Sequence, residues 1–181
     1  MSLRFRKHVR LTEHDYLHGA YFVTMCTYWR RQVFGHIIGK GPEARMELTN
    51  EGRIVDECWH AIPDHFPEVR LDQMQIMPDH LHAIITLNAA SDRGTAAATH
   101  WVATTDADDR PTKHATGPAR GSLGAIIGAF KSETTRRVNK LNSTPGRYLW
   151  QPNFHERIIR ERVGEYERIA TYIAENPMKW H

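Results

Sequence analysis

The stretch Leu71-Asp-Gln-Met-Gln-Ile-Met-Pro-Asp-His-Leu-His-Ala-Ile-Ile-Thr-Leu87 decides the fold. It contains two strand-like runs, 71–77 and 80–87, joined only by Pro78-Asp79. Because a turn this short cannot cross over a sheet, the two strands are predicted to be antiparallel neighbours.

Side-chain alternation gives each run two faces. In the second run one face is apolar, and the other carries His80, His82, Ile84 and Thr86. The apolar face, formed by Leu81, Ala83, Ile85 and Leu87, is therefore predicted to contact the core. The two histidines should point to a second, more polar layer. In the first run, strict alternation puts Leu71, Gln73 and Gln75 on one face and Asp72, Met74 and Ile76 on the other.

Segments on either side supply the other elements. In chain order they are a strand at 21–27, a glycine-rich turn region at 35–41, a helix from Thr49 or Asn50 to Pro63, a helix after Ser122 that ends before Asn142, a strand at 154–159 and a helix at 163–176. With the two central strands, this order predicts an α+β fold: a ferredoxin-like βαββαβ sandwich with a four-stranded antiparallel sheet and one extra C-terminal helix.

Domain organisation follows from length and composition. The 181 residues are predicted to form a single domain, interrupted at 88–121 by a flexible insertion rich in Ala, Thr, Asp, Gly and Pro. The two crossover helices would cover one sheet face. The extra helix is then available for the face to which the histidines point.

The C-terminal helix carries a second polar pair. Tyr172 and Asn176 lie one turn apart, at the border of an apolar stripe formed by Tyr166, Ile169, Ala170 and Ile173. Pro177 should end the helix at Asn176, so the negative end of its dipole would favour a cation nearby. From spacing alone, Tyr172 is more typical of a packing aromatic, and the histidine pair is equally compatible with ordinary structural histidines.

Charge and hydropathy narrow the class of protein. No apolar run approaches the length needed to span a bilayer, so we expect a soluble, cytoplasmic protein without a membrane partner. The net charge is +3, but Lys and Arg residues are clustered. Such clusters suit a polyanionic partner, although solvated surfaces would also account for each cluster taken singly.

Three segments together resemble the HUH-type single-tyrosine transposases of insertion sequences, and most closely the REP-associated tyrosine transposase branch. They are Pro78-Asp-His-Leu-His82, Trp150-Gln-Pro-Asn-Phe-His-Glu-Arg-Ile-Ile-Arg160 and Tyr172-Ile-Ala-Glu-Asn-Pro-Met-Lys-Trp180. The resemblance runs from about Arg4 to Trp180, apart from the insertion.

The resemblance implies a metal-dependent single-stranded DNA endonuclease and strand transferase. His80, His82 and Asn176 match the positions that bind a divalent metal, and Tyr172 matches the nucleophile that forms a 5′-phosphotyrosine bond. The implied partner is single-stranded DNA with hairpins or repeated palindromes. A phenol with an ordinary pKa of about 10 is mostly protonated at neutral pH, so a cation must stabilise the developing charge. Mg²⁺ or Mn²⁺ suits two imidazoles and an amide oxygen with open positions.

The sequence departs from the family pattern at one position near the histidines, and it offers candidate residues for DNA contact. Asp79 stands where the family commonly has Asn, which alters the charge beside the metal without removing a ligand. Trp150 is a candidate for base stacking on DNA, although packing is the more typical role of such an aromatic residue. Candidates for phosphate contact are Arg4, Arg6, Lys7, Arg10, Arg30, Arg136, Arg137 and Lys140.

The sequence is also compatible with other functions. A relaxase-like HUH nickase would use the same chemistry, whereas a domesticated, non-cleaving nucleic-acid-binding module would need neither metal nor tyrosine. A zinc-dependent hydrolase would need a further carboxylate or cysteine ligand. The periodicity does not distinguish a monomer from a homodimer.

Overall fold

A computed structural model describes residues 16–88, 118–160 and 163–180. Its main sheet has four antiparallel strands in the order β4-β5-β1-β6, and a separate hairpin pairs β2 with β3. The strands are β1 (Gly19–Cys26), β2 (Gly35–Ile38), β3 (Arg45–Leu48), β4 (Val69–Met77), β5 (His80–Leu87) and β6 (His155–Ile159). The predicted ferredoxin-like βαββαβ arrangement is confirmed, with β5 and β1 at its centre.

Three helices lie on one side of this sheet, where the sequence predicted two, because the first predicted helix ends at His60 and Pro63 lies in the first turn of a short helix of its own. They are α1 (Asn50–His60), α2 (Ile62–His65) and α3 (Leu123–Leu141). Thr49 Oγ1 and Ser122 Oγ accept hydrogen bonds from backbone amides in the first turns of α1 and α3, which explains where both helices begin. Trp59 and Phe130 meet edge to face between α1 and α3, with ring centroids 5.3 Å apart.

The apolar face of β5 contacts this helical layer, as predicted. Leu81, Ala83, Ile85 and Leu87 are all buried in the same cluster as Trp59 and Phe130. The opposite face carries His80, His82 and Ile84. Side-chain alternation alone therefore assigned the two faces of β5 correctly.

A fourth helix, α4 (Glu165–Ala174), lies on the histidine face and contacts β4 and β5. Its anchor is a small cluster in which Ile169 and Ile173 pack against Ile84 and Ile159. The helix ends two residues earlier than predicted, because Asn176–Lys179 forms a 3₁₀ turn that Pro177 starts. The backbone still changes conformation next to Asn176.

Two other local predictions were wrong. The region 35–41 is more than a turn, because Gly35 begins β2 and pairs with Leu48. A Cβ atom at Gly35 would lie 2.0 Å from the carbonyl oxygen of Glu47, so the glycine permits strand pairing. In β4, an irregularity between Leu71 and Met74 interrupts the alternation, and Leu71 joins Met74 and Ile76 on the core side.

Some expectations fall on residues outside the described ranges. Arg4, Arg6, Lys7 and Arg10 lie there, as does nearly all of the insertion at 88–121. In the part of the chain that the structure describes, no helix has the length and apolar character needed to cross a bilayer.

Candidate active site

The side chains of the two histidines of β5 converge through their Nε2 atoms. Both side chains are buried, and the Nε2 atoms of His80 and His82 lie 3.1 Å apart. Their rings are nearly perpendicular, with centroids separated by 4.6 Å. This convergence results from strand geometry, because residues two apart project from the same face.

The outer nitrogen of each imidazole has its own partner. His80 Nδ1 donates to Asp79 Oδ1 at 2.6 Å, which leaves its Nε2 as the atom with a lone pair. His82 Nδ1 lies 2.8 Å from Thr24 Oγ1, a hydroxyl that can either donate or accept. Thr24 is positioned by the sheet, since β1 pairs it directly with His82.

Asp79 is held in turn by Arg30. Arg30 Nε lies 2.8 Å from Asp79 Oδ2, on the carboxylate oxygen that does not contact His80. Arg30 also donates from Nη1 to Cys26 Sγ at 2.8 Å. The guanidinium therefore fixes the buried carboxylate that orients His80.

His82 is kept neutral by its surroundings. Burial lowers its pKa from the ordinary 6.5 to about 3, and the charges of His80 and Arg30 act in the same direction. A neutral imidazole is the form that can donate a lone pair to a metal.

Tyr172 lies beside this pair on α4. Its ring centroid is 5.4 Å from that of His82 and 6.0 Å from that of Phe22 on β1. Lys179 Nζ lies 6.0 Å from the centroid of the Tyr172 ring. With 43% of its surface exposed, Tyr172 is accessible to a ligand as well as close to the histidines.

The side chain of Asn176 forms a hydrogen bond with the backbone of Tyr172. Its Nδ2 donates to the carbonyl oxygen of Tyr172 at 3.2 Å. Because the amide nitrogen makes this bond, Oδ1 is the atom with lone pairs for a cation. Tyr172 on α4 and Asn176 in the 3₁₀ turn that follows are therefore joined by a hydrogen bond, although the helix itself ends before Asn176.

The histidine pair suits a six-coordinate divalent cation. Two neighbouring ligands at about 2.1 Å from such an ion are about 3.0 Å apart, close to the Nε2 separation observed here. No group of three His, Cys, Asp or Glu side chains in the described ranges could hold a metal ion. A further protein ligand to a cation held there would have to be of another type, and the amide oxygen of Asn176 is a candidate.

The described candidates for phosphate contact lie in two different parts of the structure. Arg30 contacts Asp79, whereas Arg136, Arg137 and Lys140 lie on α3, across the sheet from the histidines. Arg136 pairs with Glu133, and Arg137 pairs with Glu57.

Of the two roles considered for Trp150, the structure contradicts base stacking and shows packing. The side chain is 4% exposed, and its Nε1 donates to Thr134 Oγ1 at 2.8 Å. Its ring packs between Phe34 and Phe130, at centroid distances of 5.0 and 5.8 Å. Trp150 is a core residue.

The chain is similar to known proteins in both structure and sequence. No family model matches the chain. The structure of a REP-associated tyrosine transposase bound to a REP hairpin is 18% identical, with a TM-score of 0.56, and the match covers 99% of this chain and 74% of that one. The chain therefore has the fold of the single-tyrosine transposases.

A relative in sequence is an uncharacterized protein of Haemophilus influenzae (strain Rd). The two are 32% identical over 180 residues, which cover 99% of this chain and 92% of the relative. The chain belongs to the same family as that protein.

Proposed function

We propose that this chain is a metal-dependent single-stranded DNA endonuclease and strand transferase that cleaves near hairpin or palindromic DNA. The observation that carries the proposal is the position of the Tyr172 ring, 5.4 Å from His82 and accessible from outside. A tyrosine beside two convergent imidazoles is an arrangement suited to metal-assisted nucleophilic attack on a phosphodiester.

In the proposed reaction, Tyr172 Oη attacks the phosphorus of the scissile phosphodiester. A tyrosyl oxygen–phosphorus bond forms as the phosphorus–O3′ bond breaks, so the strand downstream of the break becomes attached to Tyr172 through its 5′ phosphate. The phenol loses its proton and the departing O3′ gains one. The free 3′-hydroxyl can later attack the phosphotyrosine, which reverses the step and joins strands without nucleotide hydrolysis.

Each protein group has a defined part in this proposal. His80, His82 and Asn176 would hold Mg²⁺ or Mn²⁺, which supplies Lewis-acid stabilisation of the phosphate oxygens when bound. Phe22 packs edge to face against Tyr172 and stacks on His82, so it keeps the nucleophile beside the ligand pair. Asp79 and Thr24 orient the imidazoles.

The proposal is tested with hairpin oligonucleotides taken from the flanks of the chain's own gene. Wild-type protein with Mg²⁺ or Mn²⁺ should give a covalent protein–DNA adduct on a denaturing gel, and EDTA should prevent it. Binding of the same hairpins with no adduct under any metal condition would instead support a non-cleaving binding module.

Asp79 provides a test of metal binding that is separate from cleavage. Asp79→Ala should weaken Mn²⁺ binding by about 10- to 100-fold, because His80 loses the carboxylate that orients it. Asp79→Asn should be milder, since an amide oxygen can accept the same hydrogen bond. Isothermal titration calorimetry measures both affinities.

Asp56→Ala is the matched control, because Asp56 contacts exposed His60 on α1. It should bind Mn²⁺ as wild type does. Equal Mn²⁺ affinities for Asp79→Ala and wild type would show that the carboxylate does not support the metal site.

A further inference from the structure

A continuous aromatic and basic surface lies outside the site described above. It consists of Tyr28, Trp29 and Tyr148 together with Arg31 and Arg147, and we call it the aromatic-arginine surface. Trp29 is 56% exposed and Tyr148 is 68% exposed. Tyr28 joins them, with ring centroids 5.2 Å from Tyr148 and 5.6 Å from Trp29.

The positive charge of this surface has no carboxylate partner among the described residues. Arg31 donates from Nη2 to the carbonyl oxygen of Tyr148 at 2.8 Å and from Nε to that of Tyr28 at 3.2 Å. Burial and the nearby charge of Arg147 both lower the pKa of Arg31. Within 16–88, 118–160 and 163–180, neither guanidinium forms a salt bridge with a carboxylate. Two arginines close together without an acid favour an anionic ligand.

The backbone holds Trp29 outward at a conformational cost. Trp29 and Arg30 have φ values of 62° and 54°, the left-handed region that bulky residues rarely adopt. Such conformations are energetically unfavourable and persist where the surrounding structure holds them. Here Thr27 is fully buried, and its Oγ1 donates to the carbonyl oxygen of Arg31 at 2.8 Å.

The same turn connects the surface to the histidine pair. Thr27 N donates to the carbonyl oxygen of Asp79 at 2.9 Å, and the side chain of Arg30 contacts the Asp79 carboxylate. Cys26, two residues before Tyr28, pairs across the sheet with His80. The aromatic-arginine surface therefore lies at the end of the sheet where the candidate metal ligands are.

We propose that the aromatic-arginine surface binds unpaired nucleotides of single-stranded DNA next to the cleavage site. Bases would stack on Trp29 and Tyr148, and Arg31 and Arg147 would face the phosphates. Aromatic rings beside unpaired basic groups are the usual components of single-strand binding, whereas a duplex does not expose the faces of its bases. The inference depends on the proposed function for the identity of the nucleic acid.

The test measures binding alone, in EDTA, so that it is independent of cleavage. Fluorescence anisotropy follows a labelled short oligothymidine and, separately, a fully paired duplex. Trp29→Ala and Tyr148→Ala should each weaken oligothymidine binding by about 5- to 150-fold, with little change for the duplex. Trp29→Phe keeps an aromatic face and should recover most of the lost affinity.

Charge and folding are checked with further variants. Arg147→Ala should make the plot of log affinity against log salt concentration shallower by about one unit of slope, because one fewer counterion is released on binding. Leu141→Ala, an exposed apolar residue at the end of α3, is the matched control and should bind as wild type does. Thermal unfolding midpoints establish which variants are folded; Tyr148→Ala provides the test if Trp29→Ala is unstable.

Oligothymidine affinities of folded Trp29→Ala and Tyr148→Ala equal to that of wild type would overturn the inference. An equal loss of single-strand and duplex affinity would overturn it too, because stacking on base faces requires unpaired bases. Neither result depends on covalent adduct formation, so failure of this inference is distinguishable from failure of the proposed function.

Discussion

Tyr172→Phe should abolish the covalent protein–DNA adduct, a loss on the order of a thousandfold or more in cleavage. Phenylalanine preserves the ring contacts with Phe22 and His82 but has no oxygen to attack phosphorus. Because Tyr172 is partly exposed, the substitution should change the free energy of unfolding by only about 0.5 kcal/mol. Cleavage of a hairpin substrate, the adduct on a denaturing gel and a thermal melt measure these three quantities.

Tyr166→Phe is the matched control on the same helix. Its hydroxyl bonds to Asp72, and burial is the main cause that raises its pKa to about 12. This variant should still form the adduct. If the adduct survives in Tyr172→Phe, another residue is the nucleophile and the assignment of Tyr172 is wrong.

His80→Gln and His82→Gln should each reduce cleavage by on the order of a thousandfold. Each substitution removes one of two nitrogens whose separation suits neighbouring ligands of a cation. Glutamine retains a polar side chain of similar length, so the buried site should keep its packing better than with alanine. Single-turnover cleavage over a range of Mn²⁺ concentrations measures the effect.

Hairpin binding in EDTA is the control measurement, and it should remain largely intact in both variants. His60→Gln, at an exposed position on α1, should cleave as wild type does. A loss of hairpin binding that parallels the loss of cleavage would mean that His80 and His82 serve the fold.

Alternation was sufficient to predict β5 and its two faces. The bounds of β5 agree with the sequence, and its apolar face is buried as expected. Pattern alone could not predict the irregularity in β4, since an extra residue shifts Leu71 relative to Met74 without leaving a turn signal. The hairpin β2–β3 was also missed because its strands have four residues each and Gly35 resembles a turn residue.

The candidate site was predictable only in part. The spacing of His80 with His82, and of Tyr172 with Asn176, is local and follows from strand and helix periods. Arg30 was considered for phosphate contact. Its pairing with Asp79 could not be predicted, because the two residues are distant in the sequence and come together only in the folded structure. Thr24 was read only as part of a strand, and its contact with His82 requires the register of β1 against β5.

The unequal anchoring of the two sheet faces has a consequence for local opening. Helices α1 and α3 share the large core, whereas α4 is anchored mainly by Ile169 and Ile173 against two isoleucines of the sheet. A helix with so few buried apolar contacts opens at a lower free energy than the sheet beneath it. Tyr172 therefore belongs to a more labile cooperative unit than His80 and His82. A DNA strand joined to Tyr172 would move with α4 while the histidine pair stayed in place.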